Sequence, residues 1–156
     1  MALDAGDVVY AEDLVWPESV DDSRVSFLQT TSTTYTDAVT GGTDEKCWRA
    51  FAAPPTGHVL LCYNATLFNS SSTGATFVTP IVRTGGTIGS GTVVLTAHDD
   101  RAIRVTGTGS MRYGATWLLT GLTPGEVYHA QLLHRVASGA TTGTVDERTI
   151  IVVPVW

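Results

Sequence analysis

The side chains able to do covalent or metal chemistry are few and scattered. Four histidines, His58, His98, His129 and His134, form neither an HxH nor an HExxH pattern, so no two are spaced to hold one ion from a single element. His129 and His134 are five positions apart, which on a strand sends them to opposite faces. Asp99 and Asp100 follow His98 in a stretch read as a loop. Two adjacent carboxylates supply far fewer oxygens than the roughly six to eight that calcium takes, so the pair reads as a solvated turn. Gly109-Ser110-Met111 lacks the flanking glycines of a nucleophile elbow. The only lysine, Lys46, sits between Glu45 and Cys47 and closes no Walker loop. No acidic pair is evident on facing strands, as glycoside hydrolysis would need. The expectation is a protein that is not an enzyme, with no catalytic residue, cofactor or metal.

Binding chemistry is better represented. Of the four tryptophans (Trp16, Trp48, Trp117 and Trp156), the two near the chain ends are the candidates for contacts with another molecule, since Trp is enriched at interfaces. Asn64-Ala65-Thr66 and Asn69-Ser70-Ser71 match a glycosylation sequon. The opening MALDAGDVVYAEDL has neither a basic n-region nor an apolar h-region, so both sequons read as chance and synthesis is expected in the cytoplasm. In that reducing compartment Cys47 and Cys62 are expected as free thiols.

The elements that carry these residues are strands. A chain of 156 residues fits one domain with an arm. Charged residues make up 15%, against roughly 25% in an ordinary domain, and 25 threonines beside 16 glycines favour pleated strands and turns. The net charge of −6 argues against nucleic acid, and no apolar run reaches the roughly 18 to 20 residues of a membrane span. Residues 1–22 hold seven acidic side chains and no basic one. They read as a docking arm, with Val8, Val9, Tyr10, Leu14 and Trp16 as its apolar contacts. Residues 23–156 alternate β-branched runs with Gly, Pro, Ser and Asn clusters, which predicts a sandwich or barrel. The strand ranges are 24–30, 33–39, 46–52, 58–68, 76–83, 91–97, 101–106, 112–120, 126–136 and 145–154, some of them merging into about eight. Thr123-Pro124-Gly125-Glu126 has the make-up of a type II turn.

Two strands are apolar on both faces. In 58–68, Val59, Leu61, Tyr63, Ala65 and Leu67 alternate with His58, Leu60, Cys62, Asn64, Thr66 and Phe68. In the last strand, Val145, Thr149, Ile151, Val153 and Val155 would share one face, and Ile150, Val152, Pro154 and Trp156 the other. In a thin sandwich such strands need a cover on the outer side, and another subunit is the favoured one.

Several patches resemble a known group. Ala53-Pro54-Pro55-Thr56-Gly57-His58-Val59-Leu60, the run Leu119 to Tyr128, His134-Arg135-Val136 and Arg148 to Pro154 are similar to small jelly-roll virion surface proteins of phages infecting actinobacteria. The opening Ala5 to Leu14 is similar to the start of many phage minor structural and tail-tip proteins. The resemblance implies an all-β jelly roll of the tumour-necrosis-factor type, assembled as a homotrimer with an extended N-terminal arm. It implies a virion location, the capsid exterior, where a decoration protein binds the major capsid protein. On that reading Ile150, Val152, Pro154, Trp156 and His134 would form the trimer interface. The alternative is a tail-fibre or baseplate module that meets host surface glycan through loops 69–75, 84–91 and 107–111, with Trp117 or Tyr113 stacking on a sugar.

Overall fold

A computed structural model describes residues 19–42 and 45–156. Its strands are β1 (Val20–Arg24), β2 (Leu28–Thr30), β3 (Gly41–Gly42), β4 (Trp48–Ala52), β5 (Val59–Asn69), β6 (Ala75–Thr84), β7 (Val93–Leu95), β8 (Ile103–Thr106), β9 (Met111–Leu119), β10 (Val127–Val136) and β11 (Gly143–Pro154). One 3-10 turn covers Asp99–Arg101. Burial along β5 alternates residue by residue, with Val59, Leu61, Tyr63, Ala65 and Leu67 inside, as a pleat with one face on a core requires.

The strands form two antiparallel sheets. One has the order β3-β2-β11-β5-β9, with β1 also beside β11; the other has β4-β10-β6-β7, with β8 also beside β6. If β1 and β2 are taken as one interrupted strand, and β7 and β8 as another, the pairing reads first with last, second with second-last (β4 with β10), third with third-last (β5 with β9), and β6 with β7/β8. A long hairpin bent at β6 and rolled up gives this pattern, which is the jelly roll. The inner faces of both sheets meet in one core that includes Leu28, Phe51, Val59, Leu61, Leu67, Val78, Val82, Ile103, Leu132, Ile150 and Val152.

Two differences from the sequence reading have local causes. Segment 33–39 is not a strand: Thr36 makes a single bridge to His134. Here the Ser32 hydroxyl donates to Thr34 O and accepts from Thr34 N–H, and the Thr36 hydroxyl accepts from Ala38 N–H, which offers the chain an alternative to a ladder. At the N-terminal side, β1 starts at Val20, within the 1–22 segment read as an arm, and pairs Val20 to Arg24 with Val152 to Arg148. The turn at Pro124-Gly125 forms as expected, with Gly125 at φ 79° and Glu126 N–H donating to Thr123 O at 3.2 Å.

The largest difference is in β11. Its register against β5 shifts by one residue between Asp146 and Thr149, and Glu147 lies at φ 42°, a left-handed conformation that few non-glycine residues adopt. This is a β-bulge, and one extra residue reverses which face each later side chain occupies. Val145 and Ile150 therefore both point into the core, although uninterrupted alternation puts them on opposite faces.

Candidate functional site

The outer face of the six-stranded sheet carries one stretch of apolar surface that the chain does not fully bury, beside single exposed side chains elsewhere such as Val25, Phe27, Val94 and Val127. Register places Leu118 of β9 opposite Leu60 of β5, and Leu60 opposite Val153 of β11. In the next row but one on the same face, Thr116 lies opposite Cys62, and Cys62 opposite Ile151. Directly opposed side chains of this kind touch, so Leu60, Cys62, Leu118, Ile151 and Val153 make one continuous band. Leu118 is 51% exposed and the others are half-buried. The far end of the same face is polar. Arg112 Nη1 lies 2.9 Å from Glu147 Oε2 and its Nη2 donates to Asn64 Oδ1 at 2.9 Å. Thr66 also donates to Glu147 at 3.0 Å. The bulge positions Glu147 for this cluster, so one irregularity separates a wet end from a dry one.

Several residues singled out in the sequence lie elsewhere. Ile150 and Val152 are core residues, 0% and 1% exposed, and within one chain they cannot meet a second subunit. The bulge is the reason: it turns the expected interface face inward and presents Ile151 and Val153 instead. His134 is also buried, its Nε2 3.0 Å from Ala38 O, because segment 33–39 covers it. Pro154 is half-buried at the end of β11 opposite Val59, and Trp156 is 52% exposed. The arm residues Val8, Val9, Tyr10, Leu14 and Trp16 lie outside the described residues. Trp117 packs against the core, with the Arg101 guanidinium 5.0 Å from its ring centroid; that face is already occupied. The loops proposed to meet glycan do not converge: 69–75 and 107–111 are tied together through Gly107, whereas 84–91 lies beyond the other end of β6, roughly 30 Å away for ten residues of strand.

The sequence reading passed over Leu118 and put Ile151 and Val153 on the wrong side. A signal was available in Asp146-Glu147-Arg148, three charged residues in a row within an apolar strand, which marks a place where alternation breaks.

Beneath the sheet edge, Arg148 is 3% exposed. It donates to Glu45 O at 2.6 Å and to Ser26 O at 3.1 Å, and burial lowers its affinity for a proton below the ordinary guanidinium value. Cys47 lies close by at 0% exposure, its thiol donating to Asp22 O at 3.4 Å. Burial, followed by the Asp22 carboxylate, pushes this thiol up to about 12. Both cysteines are free, and Cys62 is on the outer face while Cys47 is inside. In the unassembled chain a thiol reagent should therefore label Cys62 and spare Cys47 until unfolding. A folded-state value above the unfolded one means that Cys47 contributes stability that is complete below about pH 8.5 and declines as pH rises toward 12. Alkaline unfolding curves of wild type and Cys47→Ala should diverge over that range, and parallel curves would refute the assignment.

No family model matches the sequence, and no curated protein matches it. Solved structures similar to the chain include the CBM22-1 xylan-binding domain of Paenibacillus barcinonensis Xyn10C, at 8% identity and TM-score 0.40 over 86% of this chain and 94% of that one. Eiger TNF from S. frugiperda is similar at 8% identity and TM-score 0.44 over 89% and 94%. The infectious bursal disease virus VP2 subviral particle is similar at 12% identity and TM-score 0.48, over 99% of this chain and 37% of that one. The jelly-roll assignment rests on the strand pairing itself.

Proposed function

We propose that the chain is a homotrimeric virion structural protein that acts by binding: a phage capsid decoration protein whose trimer packs through the outer face of the six-stranded sheet and whose residues 1–22 dock on the major capsid protein. The observation that carries this reading is the band of Leu60, Cys62, Leu118, Ile151 and Val153 on the face of a sheet whose other side is already the core. Apolar surface on both sides of a sheet calls for a cover. Further copies supply one, because in a closed threefold ring each subunit's band packs on its neighbour and the contact is repeated three times. A ligand that binds only the assembled shell stabilises it by mass action, so decoration needs no catalytic group.

Light scattering on the purified protein should give three times the chain mass. A capsid co-sedimentation assay should lose binding when residues 1–22 are deleted. The strand β1 begins at Val20, so a second deletion ending at residue 18 leaves the fold intact and should show the same loss. Retained binding would overturn the role of the arm. Copy number per virion separates the settings: hundreds of copies fit decoration, whereas a few to some tens would make it a tail module.

A further inference from the structure

The opposite sheet carries a groove that none of this uses. It runs across the outer face of β10, β6 and β7, with a volume of about 550 Å³, within the roughly 300–1,000 Å³ of small-ligand sites. Its floor is Ile81 and Leu133, 6% and 9% exposed and outside the main core cluster. Its walls include Thr33, Thr34 and Thr96, all exposed.

One end of the groove is locked. Arg135 lies 4.0 Å from the Phe77 ring centroid and 5.3 Å from that of Tyr35, and it donates to both carboxylate oxygens of Asp99, at 3.1 and 2.5 Å. Tyr35 donates to Asp99 at 2.8 Å. The Arg135 guanidinium, followed by the Tyr35 hydroxyl, holds the Asp99 carboxyl below its usual range. Arg135 is thus neutralised and serves to pin the 33–35 and 96–101 segments as walls.

The other end differs. Arg83 is half-buried among the lining residues, and its one hydrogen bond, to Gly91 O, is 3.5 Å long. Among the described residues no carboxylate pairs with it, in a chain whose net charge is −6. A guanidinium at a groove without an acidic partner can take an anion from solution, and carboxylate suits its planar fork.

The position on a sheet face decides the rest of the ligand. The main-chain groups of β6 there are already used in the ladders with β10 and β7, so a ligand lying across the face meets side chains, and the outer edge of β7, which ends the sheet, lies to one side of it. What remains is an apolar floor, a row of hydroxyls and one guanidinium. We propose that this groove binds an acidic saccharide segment, with a uronate carboxylate on Arg83, ring hydroxyls on Thr33, Thr34 and Thr96, and an apolar sugar face over Ile81 and Leu133. The groove is on the sheet opposite the apolar band and shares no residue with it, so variants of its lining test it separately from that assembly.

Titration calorimetry of the full chain with a short oligogalacturonate, at physiological salt, tests this. Binding is expected for the acidic oligomer, with a neutral xylo-oligosaccharide at least tenfold weaker. Arg83→Gln should weaken the acidic ligand by roughly 10- to 100-fold, the range for one charge-assisted contact, and Arg83→Lys should restore part of it. Thr96→Trp, which fills the groove from an exposed position, should abolish binding while the unfolding temperature stays unchanged. Absence of binding, equal affinity for the neutral oligomer, or an Arg83→Gln variant that binds like wild type would each overturn the proposal. Equal affinity for an oligo-aspartate would overturn the saccharide assignment.

Discussion

Replacing Ile150 with alanine should lower the unfolding free energy by about 2–5 kcal/mol, the range for truncating a buried Leu, Ile or Met. Ile150 is 0% exposed and lies in the core cluster, opposite Tyr63 of β5. The loss has two parts, the removed transfer free energy of the deleted methyl and methylene groups and the cavity left behind. That cavity closes poorly here, because β11 is held on one side by β5 and on the other by β1 and β2, so the backbone cannot move in to fill it. Urea unfolding should show a lower midpoint with an unchanged slope, which is the mark of a stability change without a change in the surface exposed. The oligomeric state at native conditions should not alter. A loss below about 0.5 kcal/mol, the scale of a surface substitution, would mean that the bulge does not turn Ile150 inward.

The adjacent position should behave in the opposite way. Ile151→Asp is expected to turn trimers into monomers in light scattering, at a cost to the monomer's own stability of only about 1 kcal/mol, from the Asp21 carboxylate directly opposite. Ile151 is half-buried on the outer face, between Cys62 of β5 and Asp21 of β1. In a single chain an aspartate there reaches water. In an assembly that covers the band, the same carboxylate is desolvated without a cationic partner, at a cost of several kcal/mol per ion, and a threefold arrangement repeats it three times. Leu118→Asp, on the same face at β9, should give the same result from the other side of the band. Variants that remain trimeric would remove the outer face as the interface, and a monomeric wild type would remove the trimer.

The two neighbouring substitutions also show what could and could not be read from the residues alone. Period-two patterning located β4 to β11 to within a few positions, because Val, Leu, Ile and Tyr at alternate places leave a strand few other choices. The double apolar character of β5 was legible for the same reason, and its inner set is the set that the structure buries. The face of β11 was not legible, because parity counted from Val145 is correct only if no residue is inserted, and Glu147 is inserted. Segment 33–39 misled in another way: its threonines have strand propensity, yet the hydroxyls of Ser32 and Thr36 satisfy the local backbone. The groove left no trace in the sequence. Arg83 and Thr96 come from one part of the chain, Thr33 and Leu133 from two others, and only the rolled topology sets them side by side.

The pairing of first strand with last also has a consequence in time. In the six-stranded sheet, β11 lies between β1/β2 and β5, and it follows every other described strand along the chain. During synthesis β5 can pair with β9 as soon as β9 emerges, but the edge of β5 that belongs to β11 stays open, and β1, β2 and β3 wait for the strand that joins them to the sheet. Folding of such non-local pairings is slow, and an open apolar edge invites aggregation in the interval. Chains stalled on the ribosome before residue 143 should therefore remain protease-sensitive, and resistance should arrive in a single step once β11 clears the exit tunnel.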